Sequence, residues 1–596
     1  MKHFRNLIGL LKSKDIIFIL SAIILFAADL MLFSFIIGDN STFRLRTVLY
    51  LGDAALLSSI YWLCRPKFRW VVLPLIWIAT LFIFANALFF RYWGDMFPLA
   101  SMFNASNYNS FVFNSIPALL SPAIITIILL PTVITALYFI LKPWQAKAFS
   151  RKIKITALVS IIAFYCLGIF LGVNSTLHWR QMTDHPIQSR SAIFMDRFDR
   201  ITRQYDAWKH NGLFGYLTCL IANYSTVSSL SLTETERANI SDYLKTQATH
   251  EPSPLIRNRG KNLVFIIVES LNSSVINVTD GEHRLTPLLS ELVSSDSVIS
   301  STGMLSQIID GGSSDGQLIY NTGLLPLMNG VAAMSFGENQ FPSLAKALSP
   351  ASSAEFIVET AAVYNHRTTS CAFGYDTLHD ASSLQAAGLV SKDIGDDDAV
   401  LTYAFDQMLT MPQPFFTEIT TLSMHFPFDI AGFEPAGWID SLDVPDKTKR
   451  YYQTVHYTDA AIGRFLSRLK DSPLADNTIV VIASDHDCNP ENIVDNDDMT
   501  VDFPILFIAL GSGETLHYDG PMGQIDVFPT ILDIMGVENS SNQWRGLGKS
   551  ILSGGPTGAI SRLRRISGNP DEEELMRLNR AFTISDTLIR SNYFAE

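Results

Sequence analysis

Lys261-Asn262-Leu263-Val264-Phe265-Ile266-Ile267-Val268-Glu269-Ser270 decides how the second half of this chain is read. Its apolar run is short, rich in β-branched and aromatic side chains, and ends abruptly in a carboxylate. Such a run predicts a strand covered on both faces, as in a parallel sheet flanked by helices. Pro414–Thr420, Thr478–Ala483 and Phe503–Ala509 repeat the pattern. Helical patterns over Pro287–Val293, Asp398–Leu409 and Tyr451–Leu469 lie between them. This alternation predicts a doubly wound α/β domain of largely parallel strands. Ligands in such sheets bind beyond the carboxyl ends of strands, where Glu269, Asp485 and His486 fall.

Ile309-Asp310-Gly311-Gly312-Ser313-Ser314-Asp315-Gly316-Gln317 is a small polar turn before an apolar run from Leu318. Glycine permits backbone geometries that push a hydroxyl into a site, which makes Ser313 the candidate centre and Ser314 its competitor. Alone, such a turn is usually only a turn. Its weight comes from Glu269, from His425 within Thr420–Phe428, and from Asp485-His486 after another apolar run. Two carboxylates, an imidazole and a hydroxyl form an oxygen-rich shell suited to Mn²⁺ or Mg²⁺, with Zn²⁺ as an alternative. A coordinated serine loses its proton more readily and can attack phosphorus. His425 would bind the phosphodiester or assist the departing oxygen.

The chain has 596 residues, 48% of them hydrophobic. The apolar excess is concentrated in five segments near the length needed to cross a bilayer: Ile16–Ile37, Val48–Cys64, Trp70–Phe90, Ala123–Leu141 and Ile155–Val173. Residues 1–173 hold 15 basic and 5 acidic residues, leaving 29 basic and 52 acidic in 174–596. Lys and Arg cluster before the first segment, between the second and third, and between the fourth and fifth, which predicts an inside N-terminus. Five spans then place 174–596 outside the cytoplasmic membrane. The acidic outer part argues against nucleic acid as a partner. Asp29 and Asp53 fall within the first two segments and are intramembrane functional candidates. The loop 91–117, rich in aromatic residues, suits the headgroup level, and Asp495, Asp497 and Asp498 form an acidic run read as a solvated loop.

Thr233-Glu234-Thr235-Glu236 has the form of a capping box opening a helix to about Gln247. The predicted organisation is a five-helix transmembrane domain over 1–173, a helical linker over 174–260 and an α/β domain over 261–596. Five widely spaced cysteines make neither a disulfide scaffold nor a metal pattern, and Cys488 reads as a packed thiol.

Asn262–Ser270, Gly312-Ser313-Ser314-Asp315, Ser423-Met424-His425-Phe426-Pro427 and Ser484-Asp485-His486 together resemble the lipoteichoic acid synthase family. That family is a membrane branch of the alkaline phosphatase/sulfatase superfamily. Thr286-Pro287-Leu288-Leu289, Phe373-Gly374-Tyr375-Asp376, Tyr457–Gly463 and Gly523–Thr530 match in the same order. The resemblance implies a phosphoglycerol transferase that takes its group from phosphatidylglycerol at a manganese site and passes it to a glycan, lipid or polymer. It also implies that Glu269, Ser313, Asp485 and His486 are metal ligands, Ser313 is the nucleophile and His425 contacts substrate. The chain differs in having serine for the family's threonine, Asp487 where many superfamily members have glycine, and Val363-Tyr364-Asn365-His366-Arg367 in place of a Trp-Asn-Arg segment. Arg367 and His366 are therefore candidate phosphate holders. Phosphoethanolamine transfer, or a phosphodiesterase or sulfatase of the same superfamily, is the alternative reading.

Overall fold

The computed structural model describes residues 14–37, 43–93, 96, 116–117, 119–145, 149–182, 204–224, 228–247, 253–328, 330–349, 351–390, 396–428, 434–488, 503–538, 543–562 and 565–595. The acidic run at 495–498 and nearly all of the loop 91–117 lie outside them. The chain divides into two compact units. One is drawn from Met1–Phe97 and Ile116–Thr226, the other chiefly from Val227–Glu596.

In the first unit each of the five apolar segments is helical: α1 (Lys14–Ile36), α2 (Phe43–Leu63), α3 (Val72–Trp93), α4 (Pro122–Leu141) and α5 (Arg151–Met182). Among the described residues three stretches are long and apolar enough to cross a membrane, namely Lys14–Ile36, Pro66–Arg91 and Pro122–Leu141, with a shorter apolar helix over Thr47–Leu63. Glycine lets α2 and α5 meet backbone to backbone. A Cβ on Gly168 would lie 3.0 Å from the Leu49 Cα, and one on Gly52 3.2 Å from the Tyr165 Cα. A sixth helix, α6 (Gln204–Tyr224), kinks at Gly212, whose φ is +66°.

The second unit begins with α7 (Glu234–Gln247). The capping box forms: the Thr233 N–H donates to Glu236 Oε2 at 2.8 Å, and the Glu236 N–H donates to Thr233 Oγ1 at 3.3 Å. A nine-stranded sheet follows. Its strands are β1 (Asn262–Val268), β2 (Val298–Leu305), β3 (Ser352–Ile357), β4 (Thr377–His379), β5 (Phe415–Thr420), β6 (Thr478–Ser484), β7 (Ile505–Leu510), β8 (Leu516–His517) and β9 (Met522–Gly523). The order is β8-β2-β7-β6-β1-β5-β3-β4, with β9 also on β2. β1 is central and fully buried. Leu263, Phe265 and Ile267 enter one core, and Val264, Ile266 and Val268 the other, as the period of two requires.

One core is completed by α8 (Ser313–Thr322) and by helices from the C-terminal third. The other is completed by α9 (Asp397–Met408) and α10 (Asp446–Lys470). β1 runs parallel to β5 and β6, and β3 parallel to β5. β7 is the exception, antiparallel to both β6 and β2. A parallel neighbour to β6 would need a right-handed crossover, whereas an antiparallel one does not. Its apolar content alone carries no direction, which is why 503–509 reads like the parallel strands.

Candidate active site

The register of the sheet assembles the site. Val268 pairs with Ser484 across β1 and β6, so the next residues, Glu269 and Asp485, leave the sheet side by side. The Ser270 N–H donates to Asp485 Oδ1 at 2.8 Å, and the Glu269 N–H to Thr421 Oγ1 at 3.0 Å beyond β5. His486 follows Asp485, and its N–H donates to Asp485 Oδ1 at 2.7 Å. One ligand atom each from Glu269, Asp485 and His486 lies within 4.8 Å of the others.

Ser313 reaches this triad from α8. Gly312 precedes the helix at φ +53° and ψ −128°, a region open to glycine. Asp315, itself buried, draws the turn tight by accepting the N–H groups of Ile309 at 2.8 Å and Gly311 at 2.9 Å. The Ser313 hydroxyl then donates to Glu269 Oε2 at 3.0 Å and stands 3.4 Å from His486 Nε2. Ser314, the competing serine, makes no side-chain bond to the triad. Further along α8, Gly316 packs on the Asp485 carbonyl, where a Cβ would sit 2.6 Å from the oxygen. The same carbonyl accepts from Gln524 Nε2 at 2.6 Å. Tyr320 donates its hydroxyl to the Ser484 carbonyl.

A divalent cation fits these residues. The His486 Nδ1–H can donate to the Asp487 carbonyl at 3.0 Å, a tautomer that keeps Nε2 as the ligand atom. Among the described residues Asp485 Oδ2 is buried without a hydrogen bond, with His486 Nε2 3.4 Å away, an expensive state for a carboxylate unless a cation meets it. Burial, followed by the charge of Glu269, pushes the Asp485 pKa up to about 7. For His486 burial pulls the pKa down, but Asp485 and Glu269 more than offset it, and the net direction is up.

His425 lies in the turn after β5 and donates from Nδ1 to its neighbour's carbonyl, Phe426 O, at 2.7 Å. Burial pushes its pKa down to about 4, with His486 adding in the same direction. It therefore rests neutral, which does not suit the role of a resting acid.

The two candidate phosphate holders are engaged elsewhere. His366 is buried against Glu355 Oε1 at 2.6 Å, while the Arg367 side chain is 72% exposed and meets Asp380 at 3.5 Å. Cys488 is buried, its thiol pushed well up by burial, and it stands outside the triad. Asp315, Thr421, Tyr320 and Gln524 were not read from the sequence as parts of the site. Asp315 and Gln524 carry a signal there, as parts of the Gly312–Asp315 and Gly523–Thr530 matches.

Residues 1–228 match the lipoteichoic acid synthase N-terminal domain family, and residues 261–537 match the Sulfatase family. Lipoteichoic acid synthase-like YvgJ of Bacillus subtilis is 28% identical over 319 residues, 50% of this chain and 51% of that protein. Lipoteichoic acid synthase 1 of Bacillus subtilis is 25% identical over 509 residues, 81% of this chain and 75% of that protein. The chain thus spans about half the length of some curated relatives and three quarters of others. Among solved structures, the integral membrane lipooligosaccharide phosphoethanolamine transferase A (EptA) from Neisseria meningitidis aligns with a TM-score of 0.52 at 13% identity. The alignment covers 89% of this chain and 96% of that one, a likeness of fold.

Proposed function

The chain belongs to the lipoteichoic acid synthase-like family of the alkaline phosphatase/sulfatase superfamily, and on that footing we propose that it transfers phosphoglycerol from phosphatidylglycerol to an extracytoplasmic glycan, lipid or polymer. The observation that carries this reading is the Ser313 hydroxyl, 3.0 Å from Glu269 Oε2 and 3.4 Å from His486 Nε2. Its headgroup transfer would take place outside the cytoplasmic membrane, on the α/β unit, with the N-terminal helices as the anchor.

Glu269, Asp485, His486 and Ser313 would hold the cation, Mn²⁺ foremost, which supplies positive charge to phosphoryl oxygens and lowers the serine pKa. Ser313 Oγ attacks phosphorus as its proton passes toward Glu269 and then to solvent. The bond from phosphorus to the diacylglycerol oxygen breaks, and that oxygen takes a proton from water. The phosphoglycerol group now rests on Ser313 as a phosphoseryl ester. In the second half an acceptor hydroxyl attacks the same phosphorus, the bond to Ser313 Oγ breaks, and Oγ is reprotonated. Neutral His425 suits a hydrogen-bond acceptor for a substrate hydroxyl.

The test is to incubate the full-length protein with Mn²⁺ and phosphatidylglycerol labelled in its glycerol headgroup. Diacylglycerol release and label on the Ser313 peptide are expected. Release from phosphatidylethanolamine alone would keep the site and replace the donor, as the changed 363–367 segment allows. Label recovered only as free headgroup would make the enzyme a hydrolase.

A further inference from the structure

A guanidinium is anchored one residue beyond the candidate metal triad, on Asp487. Arg562 lies between two short antiparallel strands, β10 (Gly558–Ile560) and β11 (Ile566–Gly568). The Ser561 N–H donates to the Arg565 carbonyl at 2.9 Å. Arg562 ties together the two segments that carry the chemistry. Its backbone N–H donates to the Ser306 carbonyl at 2.8 Å, on the stretch leading to Ser313. Its Nη2 donates to Asp487 Oδ2 at 2.9 Å, one residue after His486.

The buried Arg577 shows how a clamping arginine is held here. Arg577 donates twice to Glu574, at 2.7 and 2.9 Å, and once to the Leu547 carbonyl at 2.7 Å. Among the described residues the Arg562 side chain has Asp487 alone, although a guanidinium carries five N–H donors. Its Nε is buried without a hydrogen bond, and so are Asp487 Oδ1 and Ser306 Oγ around it. Buried donors left open in this way mark a place where another group belongs. The side chain retains 20% exposure, so the guanidinium can be reached. Planar, multiply donating and always charged, it suits phosphate oxygens better than any lysine would.

Resting on the phosphoryl-transfer reading above, we propose that Arg562 is a phosphate-binding residue of this site. Asp487 holds the guanidinium by one nitrogen, and the remaining N–H groups receive non-bridging phosphodiester oxygens. The phosphate is either that of the donor lipid or one already present in an acceptor chain. Arg562 thereby supplies the charge that His366 and Arg367 do not bring to the triad.

The experiment uses full-length protein in detergent and needs no turnover. Mn²⁺ affinity is read by electron paramagnetic resonance, and inorganic phosphate and glycerol phosphate affinities by titration of the Mn²⁺-loaded protein. Arg562→Gln should weaken both phosphate ligands at least about tenfold, the worth of one charge-assisted contact. Mn²⁺ affinity should stay within about twofold, and Arg562→Lys should recover part of the loss. Unchanged phosphate affinity, or an equal loss of Mn²⁺ affinity, overturns the proposal in favour of a loop clamp. On the unaltered protein, phosphate should protect Arg562 from phenylglyoxal, and equal labelling with and without phosphate also overturns it. A wrong donor would show as absent diacylglycerol release while these binding results stand. With a correct donor, a raised KM for diacylglycerol release assigns Arg562 to the donor phosphate, and a raised KM for the acceptor alone assigns it to the acceptor.

Discussion

Both units of this protein bury carboxylates, and they satisfy them in opposite ways. In the helical unit each is met separately. Asp15 accepts from Arg69 at 3.3 Å, Asp29 from Thr80 at 3.1 Å, and Asp53 from the Leu213 and Phe214 N–H groups at 2.8 and 3.2 Å. In the α/β unit Glu269 and Asp485 are placed side by side, with an imidazole and a hydroxyl turned into the same space. Asp29 too keeps an oxygen, Oδ1, without a partner among the described residues, so an open oxygen alone separates nothing; a lone carboxylate with its own donor holds elements together, whereas converging carboxylates store repulsion that a cation can relieve. Burial therefore does not identify a site; unshared convergence does. Asp53 is the clearest holding case, because it caps the half of α6 that begins after Gly212.

The largest expected contrast is between serines. Ser313→Ala should lower headgroup release by at least about 10³-fold and remove the protein-bound label, since a nucleophile has no substitute. Ser314→Ala should stay within a few-fold of wild type, and reversed results would move the centre of the site. Next comes Gly316→Ala. The new Cβ meets the Asp485 carbonyl, costing about 1–3 kcal/mol by overpacking and displacing a ligand by a few tenths of an ångström. Turnover should fall further than thermal stability suggests, with Mn²⁺ affinity falling alongside, and a drop in stability alone would detach Gly316 from the triad.

A third contrast is in pH. The folded pKa lies above the ordinary carboxylate range for Asp485 and Glu359 at about 7 and for Asp315 at about 6, each through burial. Between pH 4 and 7 the folded protein therefore binds more protons than the unfolded chain, and its stability falls as pH rises. Melting followed in a chelator should show that decline, and Mn²⁺ should flatten it by replacing protons at the triad. A metal-insensitive slope would mean that the triad does not take the ion.

The smallest effect is expected in the helical unit. Asp53→Asn exchanges an anionic acceptor of two backbone N–H groups for a neutral amide, worth about 1–3 kcal/mol. Melting in detergent should drop by a few degrees while turnover stays within about twofold. Loss of turnover comparable to that of Ser313→Ala would erase the distinction between the two units.

Much of the catalytic unit is legible in order along the chain. Strand runs such as Leu263–Val268 announce themselves by composition, and helix Pro287–Val293 forms over the span its pattern predicts. Glu269, Asp485 and His486 could be proposed because strand ends are visible as the points where apolar runs stop. Asp315 stands inside the Gly312–Asp315 motif, but its role could not be read, because its work is to bind backbone N–H groups of a turn whose shape no residue type specifies. Arg562 lies far from every motif, on a hairpin with no apolar pattern, and only its neighbours give it meaning.

The sequence by itself determined the alternating α/β plan, the apolar N-terminal helices and the residue types of the candidate metal triad. Those are local properties, set by periodicity, run length and the charge that ends a run. Tertiary structure alone decided that Ser313 rather than Ser314 faces the triad, that His425 rests neutral, that β7 runs backwards and that Arg562 leans on Asp487. Each of these depends on strand register and helix packing, where residues hundreds apart meet and a shift of one position would turn a ligand away from its partner.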